Sequence, residues 1–389
     1  MSRAPEPRAR ERFPDQLRGL ALLGIVVVNA PYLAISSDGY TDASLATPVD
    51  EAVAMLTTII AEGKFYLLFS FLFGYSTNFI VKGGGPPDRR RYRRRLMGLA
   101  VIGLVHAIFL FIGDILLSYA ILGSGLLLLT RRPDRIVYRA AAISAVVGLA
   151  WLALVAADAA LSSGLPGPDP SILSLDAALA DGTFWDTAAA RLAALPSTLL
   201  VLGSLQWGLA FAAFCLGLVA GRRHLLGDLK GYLPLFRRLA LWGLLVGLPL
   251  QAAATWISFR GERDGDVYVG LAVALATAPI LSAGYLGGLA LLSWHRPRSL
   301  AFMQPPGRAS LTVYIGESVV LCVIFCGWGF GFFGSLGAAA VTAIAVATWA
   351  ALAGVMHVWS RHFRHGPLES ALALWTGPAR PTEAAGRPR

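Results

Sequence analysis

The sequence predicts an all-α polytopic membrane protein of about ten transmembrane helices, with both termini cytoplasmic. Three observations carry that prediction. Of 389 residues, 56% are hydrophobic and only 14% are charged, well below the roughly 25% charge of soluble globular chains. The apolar residues gather in blocks of about 18 to 22 residues with almost no charge, long enough to cross a hydrocarbon core ~30 Å thick. These blocks lack the period-two alternation of an outer-membrane barrel, and the basic residues crowd into the short connections between them.

Taken in order, a polar and basic segment over 1–16 precedes a first span at about 17–35. No small-residue cleavage site follows that span, so it is expected to stay as a helix. A second span, 55–81, ends at a glycine-proline hinge, Gly83-Gly84-Gly85-Pro86-Pro87. The run Arg89-Arg90-Arg91-Tyr92-Arg93-Arg94-Arg95 then opens a third span at 96–112, and a tight turn at Gly113-Asp114 reverses the chain into a fourth at 114–130. A fifth span at 140–161 leads into an external connection over about 162–196, holding Pro166, Gly167, Pro168, Pro170 and a short helix near 176–194. That connection reads as a plain linker or as a lid over the external mouth. Spans at 197–221, 237–257, 268–293, 309–330 and 335–360 complete a single membrane domain over 17–360. The tail, 361–389, is expected to be largely disordered, being rich in Pro, Gly and Ala after Trp375.

The charges fix the orientation. With both termini inside, 28 of the 33 Lys and Arg residues fall on the cytoplasmic side, which satisfies the positive-inside rule. Arg191, Arg260 and Arg263 fall outside, and Arg18 and Lys64 within or at the edge of spans. The net charge of +10 therefore points to topology and anionic lipid rather than nucleic acid. The three cysteines, Cys215, Cys322 and Cys326, lie inside predicted spans and suggest no disulfide framework.

Ionisable side chains inside a membrane cost several kcal/mol unless paired or hydrated, so each is a candidate functional residue. Arg18 opens the first span, as an interfacial anchor or a ligand, and Asn29 follows eleven residues later, roughly 16 Å deeper. Glu62 and Lys64 lie in the second span, two apart, so they point to different sides of a continuous helix and each needs its own partner. His106 lies near the midplane of the third span, with Asp114 about two turns on along the same face. A neutral imidazole there can serve as general base. The ninth span repeats the pattern with Arg308 at its edge, then Thr312, Tyr314 and a buried Glu317. The arginine run ending at Arg95 reads as a topogenic anchor or as a dock for cytosolic phosphates.

Other chemistries find little support. No HxxxH or CxxC pair falls within a span, so no metal site is expected. There is no Walker motif, the glycine run lacking its Lys-Ser/Thr ending, and no GxSxG elbow. Gly217/Gly221 and Gly243/Gly247 have the spacing of close helix packing.

Five blocks together carry a resemblance. Asp15-Gln16-Leu17-Arg18-Gly19 through Asn29, Lys64-Phe65-Tyr66-Leu67-Leu68-Phe69-Ser70-Phe71, Arg95 through His106 with Gly113-Asp114-Ile115-Leu116, Gly307-Arg308-Ala309-Ser310-Leu311-Thr312-Val313-Tyr314, and Gly366-Pro367-Leu368-Glu369 resemble, in order, the YeiB-type bacterial membrane proteins. That family, largely of unknown function, is similar to the transmembrane acyltransferases. These take an acyl group from cytosolic acyl-CoA and pass it to an acceptor across the membrane. In the polysaccharide branch an arginine is followed eleven positions later by an essential histidine; Arg18 matches, while Asn29 stands at the later position. The lysosomal branch has an asparagine after its Arg-Gly opening, but its catalytic histidine lies in a following loop, and this chain has no histidine before His106.

The resemblance implies a membrane-bound acyltransferase in the bacterial cytoplasmic membrane, with a hydroxyl or amine acceptor. His106 would act as general base, Asp114 would orient it, and Asn29 or Lys64 would stabilise the oxyanion. Arg18, Glu62, Lys64, Arg95, Arg308, Tyr314 and Glu317 would bind substrates. Acyl-CoA would be a co-substrate, with no tightly bound cofactor. The partners expected are the lipid bilayer and a small-molecule or glycan acceptor, with a homodimer as a possible assembly. The competing reading is a proton-coupled transporter or exporter whose relay is Glu62, Lys64, His106 and Glu317.

Overall fold

The computed structural model describes residues 11–81, 85–161, 170–263 and 265–377, and every regular element among them is helical. The order is α1 (Phe13–Ala34), α2 (Pro48–Ile60), α3 (Lys64–Ile80), α4 (Pro86–Phe109), α5 (Ile115–Leu129), α6 (Asp134–Leu161) and α7 (Pro170–Asp181). It continues with α8 (Phe184–Arg222), α9 (Leu233–Arg260), α10 (Asp266–His295), α11 (Gln304–Arg308), α12 (Ser310–Phe325), α13 (Ala338–Trp359) and α14 (Pro367–Thr376). Seven helices are long and apolar enough to cross a membrane, counting α2 with α3 as one, and eight if α11 and α12, bent by 83°, form another. The protein is thus a multi-pass membrane protein. Beside these, α5 is apolar but only 15 residues long, and arginines crowd the first half of α4.

The outer surface shows why hydropathy, rather than amphipathic period, is the legible signal. Ile143, Val146, Val147, Trp151 and Leu154 of α6 are exposed, as are Leu241, Trp242 and Leu245 of α9. Such faces are stable where lipid surrounds the helix, because nothing drives them inward. Helix α1, in contrast, is central, packing on α3, α11, α12 and α13. Glycine permits this: a Cβ on Gly19 would overlap the Met303 carbonyl, and one on Gly307 the Asp15 carbonyl. The Arg18-Gly19 and Gly307-Arg308 pairs are therefore the two sides of one tight helix crossing. Gly217 against the Phe71 carbonyl joins α8 to α3, and Gly243 against Gly284 joins α9 to α10, the close packing expected of those spacings.

Several boundaries differ from the sequence expectation. The second span is not one helix: it breaks at Ala61–Gly63, where Gly63 adopts φ +79°, a left-handed conformation that glycine adopts without steric cost. Helix α4 begins before the arginine run, with Pro86 and Pro87 in its first turn, and contains all of it. The external connection is mostly helical. In place of a short helix at 176–194, α7 covers 170–181 and α8 starts at Phe184, its end fixed by a Thr183–Asp186 capping box. Arg191, expected in the short helix of that connection, lies inside the long helix α8 and is 1% exposed. In the tail, Pro367–Thr376 is helix α14, docked on α4 through Trp375 Nε1–H to the Arg94 carbonyl at 3.0 Å. Residues 378–389, Gly83, Gly84 and the Pro166–Pro168 stretch lie outside the described residues.

Candidate active site

The α4–α5 turn builds the site. Asp114 caps α5, its Oδ1 accepting the Leu117 amide at 2.7 Å, so the carboxylate is held by the helix it starts. Its other oxygen, Oδ2, lies 2.8 Å from His106 Nδ1 near the end of α4. The imidazole's second nitrogen, Nε2, lies 2.9 Å from the Ser318 hydroxyl on α12. All three side chains are buried, His106 being 1% exposed, Asp114 2% and Ser318 3%. With the carboxylate ionised and the ring neutral, this geometry assigns the proton to Nδ1, leaves Nε2 as acceptor and makes Ser318 its donor. The result is an Asp-His-Ser chain drawn from three helices.

Tyr314, one turn before Ser318, sets its ring at a tilt of 49° to the imidazole with centroids 4.9 Å apart, and its hydroxyl accepts the Ile115 amide at 3.3 Å. Glu317 is 2% exposed, an electrostatic neighbour of Tyr314, and its Oε1 has no hydrogen-bond partner. Four residues singled out in the sequence, His106, Asp114, Tyr314 and Glu317, thus meet in one place. Ser318 was missed: a serine in an apolar helix carries no signal by itself, although its position next to Glu317 and one turn from Tyr314 placed it on the right face.

Glu62 and Lys64 form a second centre, apart from the first. Because of the Gly63 break both meet the same residue of α2: Lys64 Nζ donates to the Thr58 carbonyl at 2.7 Å, and the Thr58 side chain lies beside Glu62. The expectation that each has its own partner on another helix or in water gives way to a shared one, and the two are also each other's charged neighbours. Tyr32 and Tyr40 are electrostatic neighbours of Glu62. Among the described residues no hydrogen bond, ion pair or ring contact joins Lys64 to His106. Asn29, half-buried on α1, bonds to neither.

A third cluster lies where α1, α4 and α11 converge. Asp15 Oδ1 pairs with Arg18 at 3.0 Å and Oδ2 lies 3.5 Å from Arg308 Nε. Arg18 also donates to Ser76. Arg95 sits over the Phe73 ring at 5.6 Å, with Arg18 and Arg91 as charged neighbours. Two guanidinium groups thus share the Asp15 carboxylate, with those of Arg95 and Arg91 beside them, a net positive cluster of the kind that suits phosphates. A polar residue follows each arginine along the chain: Asn29 eleven positions after Arg18 on α1, His106 eleven after Arg95 on α4, and Ser318 of α12, beyond the bend, ten after Arg308 of α11. Among the described residues no group of three or more His, Cys, Asp or Glu could hold a metal ion.

Comparison with known proteins places this arrangement in a family. Residues 220–377, which include Arg308, Tyr314, Glu317 and Ser318, match the family described as "Protein of unknown function (DUF418)". The uncharacterized protein YxaH of Bacillus subtilis (strain 168) is 28% identical over 386 residues, covering 91% of each chain. The uncharacterized protein YeiB of Escherichia coli (strain K12) is 26% identical over 384 residues, 91% of this chain and 93% of that one. An uncharacterized 39.9 kDa protein from the amylase 3' region of Bacillus acidopullulyticus is 34% identical over 122 residues, 30% of this chain and 32% of that one. Both long alignments span the membrane domain and the family match covers its C-terminal helices; the chain belongs to the YeiB-type family.

Proposed function

We propose that this protein is a transmembrane acyltransferase of the bacterial cytoplasmic membrane, crossing it ten times with both termini cytoplasmic and with α4 and α5 as the third and fourth crossings. Acyl-CoA docks its phosphates on Arg18, Arg95 and Arg308, and the thioester reaches inward to His106, which takes the proton from an acceptor hydroxyl or amine. Asp114 is the positioning residue that keeps the imidazole in the reactive tautomer. The observation that carries this reading is His106 itself: a buried imidazole with a carboxylate on one nitrogen and a hydroxyl on the other, on the same helix as Arg95 and about 16 Å from it.

The transporter reading draws less support. It needs Glu62, Lys64, His106 and Glu317 in one relay, whereas Lys64 bonds to Thr58 and His106 to Asp114 and Ser318, with no hydrogen bond among the described residues linking the two. The test is turnover by the purified full chain in nanodiscs, with release of free thiol from a panel of acetyl-, butyryl- and palmitoyl-CoA. Wild-type protein is expected to bind and turn over at least one of these. His106→Ala should lose about 10²–10⁴-fold in rate, and Asp114→Asn a comparable factor through the wrong tautomer. No binding or turnover of any thioester would discard the proposal, and proton-coupled flux without a thioester would replace it.

A further inference from the structure

The hydroxyl of Ser318 bonds an imidazole, whereas other helix serines bond backbone carbonyls, as Ser144 does to Gly208, or a neutral side chain, as Ser70 does to Tyr119 and Ser293 to Gln16. Ser76, Ser124 and Ser282 each donate to the carbonyl four residues earlier, at 2.7, 2.9 and 2.8 Å, the usual resting place of a helical serine. Ser318 does not. Its Oγ meets His106 Nε2 at 2.9 Å, while His106 Nδ1 is anchored to Asp114 and Asp114 in turn to the Leu117 amide. A hydroxyl on the acceptor nitrogen of a carboxylate-oriented imidazole is an activated nucleophile. A merely structural serine would have no need of a three-member chain that runs through a buried ionisable ring.

Two further groups are available to an acyl group attached at that oxygen. The Tyr314 hydroxyl accepts the Ile115 amide, which leaves its own proton uncommitted among the described residues, one turn from Ser318 on the same helix. That is the kind of donor an oxyanion requires. Glu317 contributes a buried Oε1 with no partner, an acceptor free for the N–H or O–H of an incoming molecule. Ser318 lies about 12 Å along α12 from Ser310, just beyond the bend that holds Arg308, a span an extended pantetheine arm can cover.

Resting on the acyltransferase reading, we infer that Ser318 is acylated during the reaction, so that transfer proceeds in two half-reactions through an acyl-serine ester. In the first, Ser318 Oγ attacks the thioester carbonyl carbon. Its proton passes to His106 Nε2, the new C–O bond forms, the C–S bond breaks, and the proton on Nε2 goes to the departing sulfur, which leaves as free thiol. In the second, the acceptor hydroxyl or amine attacks the ester carbonyl and gives its proton to Nε2. The acyl C–O bond to Ser318 breaks, and Nε2 returns a proton to Oγ. A thioester and an alcohol or amine thus become an ester or amide and a thiol, with nothing else consumed. Holding the acyl group on the protein lets donor and acceptor enter at different times and from opposite ends of the bundle.

The experiment uses the full-length protein in nanodiscs with the same acyl-CoA panel, radiolabelled in the acyl group, with no acceptor added. A burst of free thiol close to one per protein is expected, with label that survives acid quench and maps to the peptide containing Ser318. Ser318→Ala should lose the label and at least about a hundredfold of turnover. Ser318→Cys should keep a label, now as a thioester cleaved by neutral hydroxylamine, which separates loss of the nucleophile from loss of the fold. If wild type turns over a thioester without protein-bound label, or Ser318→Ala transfers at the wild-type rate, the acyl-serine is overturned while the acyltransferase reading stands. If no thioester is bound or cleaved by wild type, both fall together.

Discussion

Arg191 is the residue whose environment departs furthest from its sequence context. A guanidinium 1% exposed donates to the Phe109 carbonyl at 2.9 Å and approaches the Cys322 and Cys326 sulfurs at 3.7 Å each, while Cys322 itself donates to the Leu110 carbonyl. These contacts tie α8 and α12 to the end of α4, three residues beyond His106. Shortening the side chain would leave the Phe109 carbonyl and two thiols facing a void. Arg191→Ala is therefore expected to destabilise the protein by about 2–4 kcal/mol, from lost charge-assisted bonds plus the cavity. Arg191→Lys should recover only part of that, because an ammonium cannot span both sets of partners. Thermal unfolding in detergent measures both, and a wild-type midpoint for the alanine variant would refute the clamp.

At the scale of elements, the loop after α1 and the helix α7 form a contact that pH can tune. Asp176 of α7 accepts from Ser36 Oγ at 2.7 Å, from the Ser37 amide at 2.8 Å, and from the Ser37 hydroxyl, and the Gly327 amide donates to the Leu179 carbonyl. Beside them Asp38 has its carboxyl pushed above the usual aspartate range, first by desolvation and then by the Asp176 charge. A raised folded value means the folded state takes up that proton more readily than the unfolded chain. Asp38 therefore weakens the contact above its folded pKa, and the cost is relieved as pH falls through it. Asp38→Asn should slow hydrogen exchange in 170–181 at neutral pH, with the difference from wild type closing as the solution is acidified. Equal exchange at neutral pH would show that the repulsion has no effect on the helix. The α12 terminus illustrates a second element-level device: Glu369 of α14 accepts the Leu311 amide at 2.6 Å and the Thr312 hydroxyl at 2.7 Å, capping a helix start exposed by the 83° bend. That is the physical role of the Gly366-Pro367-Leu368-Glu369 block.

Over the whole molecule, positive charge and polar groups occupy different levels of α1, α4 and the bent α11–α12 pair, Arg308 standing before the bend and Ser318 after it. The arginine level should govern donor affinity and the His106 level the chemistry. Arg95→Gln is expected to raise KM for acyl-CoA about tenfold with kcat little changed, since one charge-assisted phosphate contact is worth roughly 1.5–3 kcal/mol. The wild-type KM should also rise with ionic strength more steeply than that of the variant. A variant that lost kcat at constant KM would place Arg95 in the chemical step instead. This layering was half legible in the sequence. Arg18, Arg95 and Arg308 opening apolar spans, with Asn29 and His106 eleven positions beyond the first two, can be counted along the chain. That Asp15 joins Arg18 to Arg308 depends on two glycine contacts between helices almost 300 residues apart, and no periodicity reports it.

The sequence by itself determined that the chain is helical and multi-pass, because hydropathy is summed locally and a lipid-facing helix needs nothing else to declare itself. It also determined which side chains are costly inside a membrane, His106, Asp114, Glu62, Lys64 and Glu317 among them, since that cost belongs to each residue and its neighbours in the chain. Tertiary structure alone decided their partners. Ser318 meets His106 across 212 positions, Arg191 of the connecting segment is buried in the protein interior, and a single left-handed glycine, Gly63, turns Glu62 and Lys64 onto Thr58. A hydrogen bond is short and directional, so it depends on the packing of whole helices to within a fraction of an ångström, and hydropathy along the chain contains no term for that distance.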